Sequence, residues 1–223
     1  MKRIGLISDT HGYFGAELKV FLKDVDVVLH CGDWGSIHTF EEVSSFKPVI
    51  GVYGNCDDTD IRMEVPLYQH FKLEELDCLM IHIGGYPARY DYRAYQLINQ
   101  IRPDIFFCGH SHILRVMNDP HFVKQEPTLS SNKSVSQQFP QDTCSADNTQ
   151  QLREKAEESD SADSSLSPGI NAEKKIVEES PRKMLVMNPG ACGQMGFHNV
   201  RTALRFTVEG RNISDLELGQ WPR

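Results

Sequence analysis

The sequence predicts an α/β fold: a layered sheet assembled in βαβ order, continued by a mixed sheet or a second sheet. Three features carry that expectation. Apolar runs of four or five residues recur, each rich in β-branched residues and continuous rather than alternating. Segments of helical periodicity precede some of them. Two pairs of apolar runs flank short polar turns, the pattern of antiparallel hairpins.

Residues 4–7, 25–29, 49–52 and 105–108 are the expected buried strands, since a strand covered on both faces has no reason to alternate. Residues 13–24, with Leu18, Phe21 and Leu22 on one helical stripe, supply the first crossover, and residues 91–102 repeat it ahead of the fourth strand. Residues 71–73 and 79–83 flank 74–77 as one hairpin, and 203–208 and 213–218 flank 209–212 as another. Runs 113–117 and 184–187 read as strands that leave and re-enter the sheet. Between them, from about Asp119 to Lys183, Ser, Gln, Asp, Glu and Lys dominate, and such a stretch buries too little apolar area to offset its ordering entropy. Disorder is expected there, with at most a transient helix over 152–158. Residues 1–118 and 184–223 then make a single domain interrupted by the acidic insertion 119–183.

Composition narrows the function. Apolar residues are 39% of the 223, low for a wholly packed chain, in keeping with that insertion. With 23 Lys+Arg against 31 Asp+Glu the net charge is -8, so stable nucleic-acid binding through a basic surface is not expected. No apolar run approaches the roughly 20 residues that span a bilayer, and Met1-Lys2-Arg3 leads into a strand-like run, so a cytoplasmic chain without a membrane segment is expected. Six cysteines, at 31, 56, 78, 108, 144 and 192, form no C-x-x-C pair and read as reduced thiols. No G-x-x-x-x-G-K-[ST], G-x-S-x-G or helix-opening G-x-G-x-x-G supports an ATPase, serine hydrolase or dinucleotide enzyme.

Potential ligands instead stand at the carboxyl ends of five separate strand-like runs, where open α/β sheets bind ligands. Ser8-Asp9-Thr10-His11-Gly12 places a carboxylate and an imidazole two residues apart, and Cys31-Gly32-Asp33 adds a carboxylate beyond a flexible turn. Gly54-Asn55-Cys56-Asp57 offers an amide oxygen, with a second carboxylate as its supporter. His82 ends an apolar run, and Gly109-His110-Ser111-His112 delivers two imidazoles. Each has an ordinary reading alone, as a turn residue or a core histidine. Together Asp9, His11, Asp33, Asn55, His82, His110 and His112 are too many donors for one tetrahedral site and enough for two metals sharing a carboxylate.

D-x-H, G-D, G-N-x-D, a strand-end His and G-H-x-H, in this order, resemble the calcineurin-like metallophosphoesterases, and the Gly-Asn-Cys-Asp form is similar to their YfcE-like phosphodiesterase branch. The resemblance covers residues 1–117 and 184–218, where Asn188-Pro189-Gly190 matches a further motif of the branch. It implies a four-layer αββα sandwich of two mixed sheets. It also implies two divalent ions, manganese before iron, cobalt, zinc or nickel. By resemblance Asp9, His11 and His112 hold one ion, Asn55, His82 and His110 the other, and Asp33 bridges. Asp33, Asn55 and His82 are then the catalytic residues, with Asn188 and Gly190 as substrate contacts.

Two divalent ions against only Asp9 and Asp33 leave a positive surplus that attracts phosphate and hydroxide. The expected activity is hydrolysis of small or nucleotide-like phosphodiesters by in-line attack of a metal-bridging hydroxide. The alternatives are a phosphomonoesterase of the same fold and a non-catalytic interaction module resembling the retromer scaffold subunit. Filled ligand positions favour catalysis. Cys56 stands where many relatives have a leaving-group His. A thiol is a poor substitute, so leaving groups that need no proton are expected, while a small buried space filler is an equal reading. Ile83 separates His82 from Gly84, where relatives often have Gly directly after the His. Loops 34–38, 86–90 and 193–199 are expected to form a specificity rim. A small phosphoester is the expected partner. Self-association, and an unknown partner for the insertion, stay open. At roughly 3.3 Å per residue the tip joining 113–117 to 184–187 lies about 15 Å or more from the metals, so the insertion should be dispensable for hydrolysis.

Overall fold

The computed structural model describes residues 1–124, 182–196 and 198–223, so the disorder expected of the insertion and its transient helix lie outside the described residues. In chain order, the first half contains β1 (Lys2–Ile7), α1 (Ala16–Phe21), β2 (Val27–His30), α2 (Ile37–Phe46), β3 (Val49–Gly51) and α3 (Thr59–Glu64). There follow β4 (Tyr68–Leu73), β5 (Leu76–Ile81), β6 (Gly85–Tyr86), β7 (Arg89–Tyr90), α4 (Tyr92–Ile101), β8 (Ile105–Phe107), β9 (Leu114–Lys124), β10 (Arg182–Pro189), β11 (Val200–Glu209) and β12 (Asn212–Pro222).

Two five-stranded mixed sheets result, ordered β12-β11-β1-β2-β3 and β4-β5-β8-β10-β9, with β6-β7 as a separate small hairpin. In the first, β1, β2 and β3 run parallel and β11 pairs antiparallel with both β1 and β12. In the second, β5, β8 and β10 run parallel between antiparallel edges β4 and β9.

Alternation along the strands builds the layers. Ile4, Leu6 and Leu29 of the first sheet meet Cys78, Met80, Ile105 and Phe107 of the second in a core between the sheets. Their neighbours point the other way: Ile7 and Val28 pack with Leu18, Leu22, Val43 and Ile61 from the helical side. Across the second sheet Leu79, Ile81, Phe106 and Val186 cover Ala94 and Ile98 of α4. This is an αββα sandwich. It is also why the strands read as continuous apolar runs: Phe106 and Phe107, both fully buried, serve opposite faces. Each such side chain contributes about 1.5–3 kcal/mol by leaving water.

The helices depart from expectation at their ends. α4 matches the expected 91–102, because Asp91 caps it by accepting from the Arg93 and Ala94 amides. α1 is shorter than 13–24. Its first expected turn belongs to a loop, where the His11 and Gly12 amides donate to Asp33 O and Trp34 O. α2 and α3 were not anticipated from their weak apolar stripes, although Ser36 and Asp58 cap them by accepting from the Thr39 and Ile61 amides. Of the expected rim loop 34–38, only 34–36 is loop, since Ile37 and His38 open α2. Trp34 is fully buried with its indole N–H on Val52 O, and Ser36 caps α2. Residues 86–90 lie in the β6-β7 hairpin.

The change of composition at Asp119 falls inside β9 rather than at its end. Asp119 is fully buried, pairs with Met184 in register, and accepts from the Tyr90 hydroxyl and the His121 amide. The ladder reaches from the Leu114–Pro189 pair to the Lys124–Arg182 pair, with a bulge in β9 between Asp119 and Val123, and at ~3.3 Å per residue the seven steps of β10 make roughly 23 Å.

Candidate metal centre

Loops leaving β1, β2, β5, β8 and β10 are laced by backbone hydrogen bonds. The Asp9 amide donates to Gly32 O at 2.9 Å, His11 N to Asp33 O at 3.0 Å, Gly109 N to His82 O at 3.0 Å and Gly193 N to Asp9 O at 3.1 Å. Such close approach has a backbone cost. Asp9, His11, Asp33, His110 and His112 all adopt positive φ, from 45° to 64°. Each left-handed residue costs about 1–3 kcal/mol, and it persists because the surrounding loops over-determine it. Gly32, at φ 95°, has no alternative: a Cβ there would lie 2.7 Å from His82 Nδ1 and 2.9 Å from the Gly54 amide.

These backbones bring all seven predicted donors into one place. Asp9, His11 and His112 form one triad and Asp33, His82 and His110 a second, the donor atoms of each lying within 4.8 Å of one another. In the first, His112 Nε2 is 3.2 Å from Asp9 Oδ1 and 3.4 Å from His11 Nε2. In the second, His82 Nε2 is 3.3 Å from Asp33 Oδ2 and 3.1 Å from Asn55 Oδ1. Asp33 Oδ2 is also 3.9 Å from His11 Nε2, so this one carboxylate oxygen faces both triads.

A divalent ion fits this donor set. Ligand atoms ~2.1 Å from a common ion sit about 3–3.5 Å apart, which matches the 3.2 and 3.4 Å separations from His112 in the first triad and the 3.3 Å between His82 and Asp33 in the second. The proton placement agrees. His82 Nδ1 lies 2.7 Å from Cys31 O, which can only accept, so Nδ1 carries the ring proton. Nε2 then faces two oxygens, Asp33 Oδ2 and Asn55 Oδ1, a contact that either a proton on Nε2 or a metal ion bound there relieves. Asp9 Oδ1 tells the same story: it is buried and has no hydrogen-bond donor.

Supporting residues surround the ligands. Asp57, the expected supporter, accepts from three amides, those of Asp33 at 3.0 Å, Gly35 at 3.1 Å and Gly54 at 2.7 Å, and so joins the second loop to the third. Asp33 Oδ1 accepts from the Cys56 amide at 2.9 Å. His30 and Thr10 were not foreseen. His30 is fully buried, stacks on Trp34 at 3.5 Å, takes the Gly32 amide on Nδ1 and donates from Nε2 to the Thr10 hydroxyl. The signal available was a polar residue at the end of an apolar strand, directly ahead of Cys31-Gly32-Asp33. Asn188 spends its amide group inside the protein, donating to Gly109 O at 2.8 Å and Ser111 Oγ at 3.2 Å, which braces the loop carrying His110 and His112. Its Oδ1 takes the Gly190 amide, and Gly190 forms the turn behind it at φ 74°.

Charge interactions follow from this packing. Burial acts to raise the Asp33 carboxyl, but the hydrogen bond and charge of His82 and the Cys56 amide prevail and hold it well below the usual carboxylate range. Burial acts to lower His82, yet Asp33 and Asp9 raise it above the ordinary imidazole value. Burial and the His82 charge push both His30 and His110 down. Burial, then Asp33, raises the Cys56 thiol. Cys56 is exposed, which removes its reading as a buried space filler.

Comparison with known proteins agrees with this geometry. A family model, that of the calcineurin-like phosphoesterase superfamily domain, matches residues 1–130. A probable metallophosphoesterase of Methanothermobacter thermautotrophicus is 30% identical over 119 residues, covering 49% of this chain and 66% of the relative, so the chain spans just under two thirds of that protein. Among solved structures, an archaeal phosphodiesterase superposes with a TM-score of 0.55 at 16% identity over 97% of this chain and 99% of that one. Wild-type Vps29 of Entamoeba histolytica complexed with Zn2+ gives 0.54 at 12% identity over 99% and 98%. At these identities the structural likeness is one of fold.

Proposed function

Since this chain belongs to the calcineurin-like phosphoesterase superfamily, we propose that it hydrolyses phosphodiesters with a pair of divalent ions, manganese first among them. The observation that carries this reading is the presence of two donor triads that meet at the Asp33 carboxylate. Asp9, His11 and His112 hold one ion, Asn55, His82 and His110 the other. When bound, such ions polarise phosphoryl oxygens and make a water nucleophilic near neutral pH. Mixed imidazole and oxygen donors suit manganese, iron, cobalt or zinc better than calcium or magnesium.

The protein's part is positioning. The Cys31 carbonyl fixes the His82 tautomer and ring plane. The Cys56 amide and His82 keep Asp33 anionic, and Asp57 sets the backbone on which Asp33 and Gly54 stand. Cys56 holds its proton at neutral pH and offers no cationic imidazole to a departing alkoxide, so esters with stable leaving anions are preferred. Among the described residues no helix is long and apolar enough to cross a membrane. A cytoplasmic location is part of the proposal.

The test strips the metal, restores manganese, and compares bis(p-nitrophenyl) phosphate with p-nitrophenyl phosphate for wild type and Asp33→Asn. Expected is faster diester turnover, reduced in the variant by at least ~10–100-fold, the range in which loss of a residue that merely supports a metal ligand already acts. Faster monoester turnover makes the protein a phosphomonoesterase. Wild type as inert as Asp33→Asn on both esters makes it a non-catalytic interaction module.

A further inference from the structure

Beside the second triad lies a cleft of about 450 Å³, within the ~300–1,000 Å³ of small-molecule sites. Asn55 and His82 contribute to its wall, together with Tyr53, Arg62, Tyr92 and Arg93. None of the last four is used by the chemistry proposed above. Arg62 lies over the Tyr53 ring at 5.0 Å and, among the described residues, donates only to carbonyls, to Asp57 O at 2.9 Å and Asn55 O at 3.4 Å. Arg93 has no carboxylate partner among the described residues. The cleft's own carboxylate, Asp91, is engaged in capping α4 through Oδ1. Tyr92 is 74% exposed, so the core does not require an aromatic ring there, yet its hydroxyl is tethered by Gln96 at 2.9 Å.

A diester has two alcohols, of which one leaves and one stays. Two guanidinium groups without carboxylate partners among the described residues call for an anion other than the one being hydrolysed. Two phenol rings and the apolar Leu67, Ile81 and Ile83 call for a flat ring. We infer that this cleft binds the retained alcohol of the substrate and that this alcohol is a nucleoside bearing a second phosphate, its base held against the tyrosine rings and its phosphate by Arg93 with Arg62. The inference rests on the phosphodiesterase reading for its substrate, but the cleft can be probed without turnover.

Three p-nitrophenyl diesters separate the parts: the methyl ester, the thymidine 5′-ester and the thymidine 5′-ester carrying a 3′-phosphate. Expected in kcat/KM is a preference for thymidine over methyl of about tenfold, the scale of stacking on aromatic side chains, and a further gain from the 3′-phosphate. Tyr92→Ala should shrink the first ratio and Arg93→Gln the second. Equal kcat/KM for the three esters, or variants that lower all three by one factor, overturns the inference. If no ester is hydrolysed, the phosphodiesterase reading fails, and the cleft is judged by binding of thymidine 3′,5′-bisphosphate to metal-free protein. Binding that is weakened in Arg93→Gln upholds it, whereas binding no tighter than that of inorganic phosphate overturns it.

Discussion

Replacing Asp57 should separate the lattice that holds the proposed metal ligands from the ligands themselves. The side chain is 4% exposed, with Oδ2 accepting from the Asp33 and Gly54 amides and Oδ1 from that of Gly35. Asp57→Ala strands all three donors. A buried donor left unpaired costs about 1–3 kcal/mol, and Gly35 is near enough to water to recover part of its share, so the sum is roughly 3–6 kcal/mol. Against a typical total of about 5–15 kcal/mol, that brings the chain close to unfolding. Asp57→Asn behaves differently. Its single carbonyl can serve both Asp33 and Gly54, but its NH2 then opposes the Gly35 amide, for a loss of about 1–2 kcal/mol. Urea unfolding in the presence of chelator, with equal m-values required, reads both numbers. Calorimetric titration with Mn2+ should show Asp57→Asn weakened about 10–100-fold, since it acts on the ligands only through their backbone. Equal losses for Asn and Ala, or a loss below about 1 kcal/mol for Ala, would refute the role assigned to these three hydrogen bonds.

Gly54→Ala would place a Cβ 2.0 Å from Asp33 Oδ1 and 2.5 Å from Asp33 N, so it should cost about 1–3 kcal/mol and displace the shared carboxylate, measurable as lost Mn2+ affinity. Without metal, His82 should gain its proton before His30 on acidification, because Asp33 and Asp9 raise the one against its burial while burial lowers the other. The signs for stability are opposite: the His82 contribution is present below ~6.5 and is lost as pH rises through its raised folded value, whereas His30 costs stability as pH falls below ~6.5. Imidazole 13C shifts in chelator would refute this by showing the reverse order. Saturating Mn2+ at about 100 times Kd should add ~2.7 kcal/mol per site to the chelated protein and raise its Tm, an effect expected to shrink in Asp9→Ala. Joining Lys124 to Arg182 by a short turn in place of 125–181 should leave diester turnover within about twofold, since the ladder puts that junction roughly 23 Å along the strands from the Leu114–Pro189 pair.

What could be read from the amino acids was whatever declares itself locally. Strands buried on both faces show as unbroken apolar runs, α4 announces itself by its stripe and by Asp91, and both hairpins by their polar turns. The seven donors could be named because each stands within a few residues of a strand's carboxyl end, and parallel strands necessarily present those ends on one edge. Short elements with weak stripes were not legible: α2 and α3 owe their places to packing around Trp34 and Ile61, which no local pattern expresses.

Only the tertiary structure could decide which polar group serves which. Asp57 reaches back 24 residues to Asp33, Cys31 offers its carbonyl to His82 across 51, and Asn188 holds Gly109 across 79. Such partners leave no periodic trace, because a hydrogen bond between loops depends on where two sheets bring the loops, not on spacing along the chain. The same holds for the cleft of Tyr53, Arg62, Tyr92 and Arg93, assembled from segments that meet only after both sheets have formed. Residue chemistry and strand order determined that a metal centre could exist; the packing of two sheets decided which donors meet, which carboxylate oxygen faces both groups of them and the shape of the surface beside it.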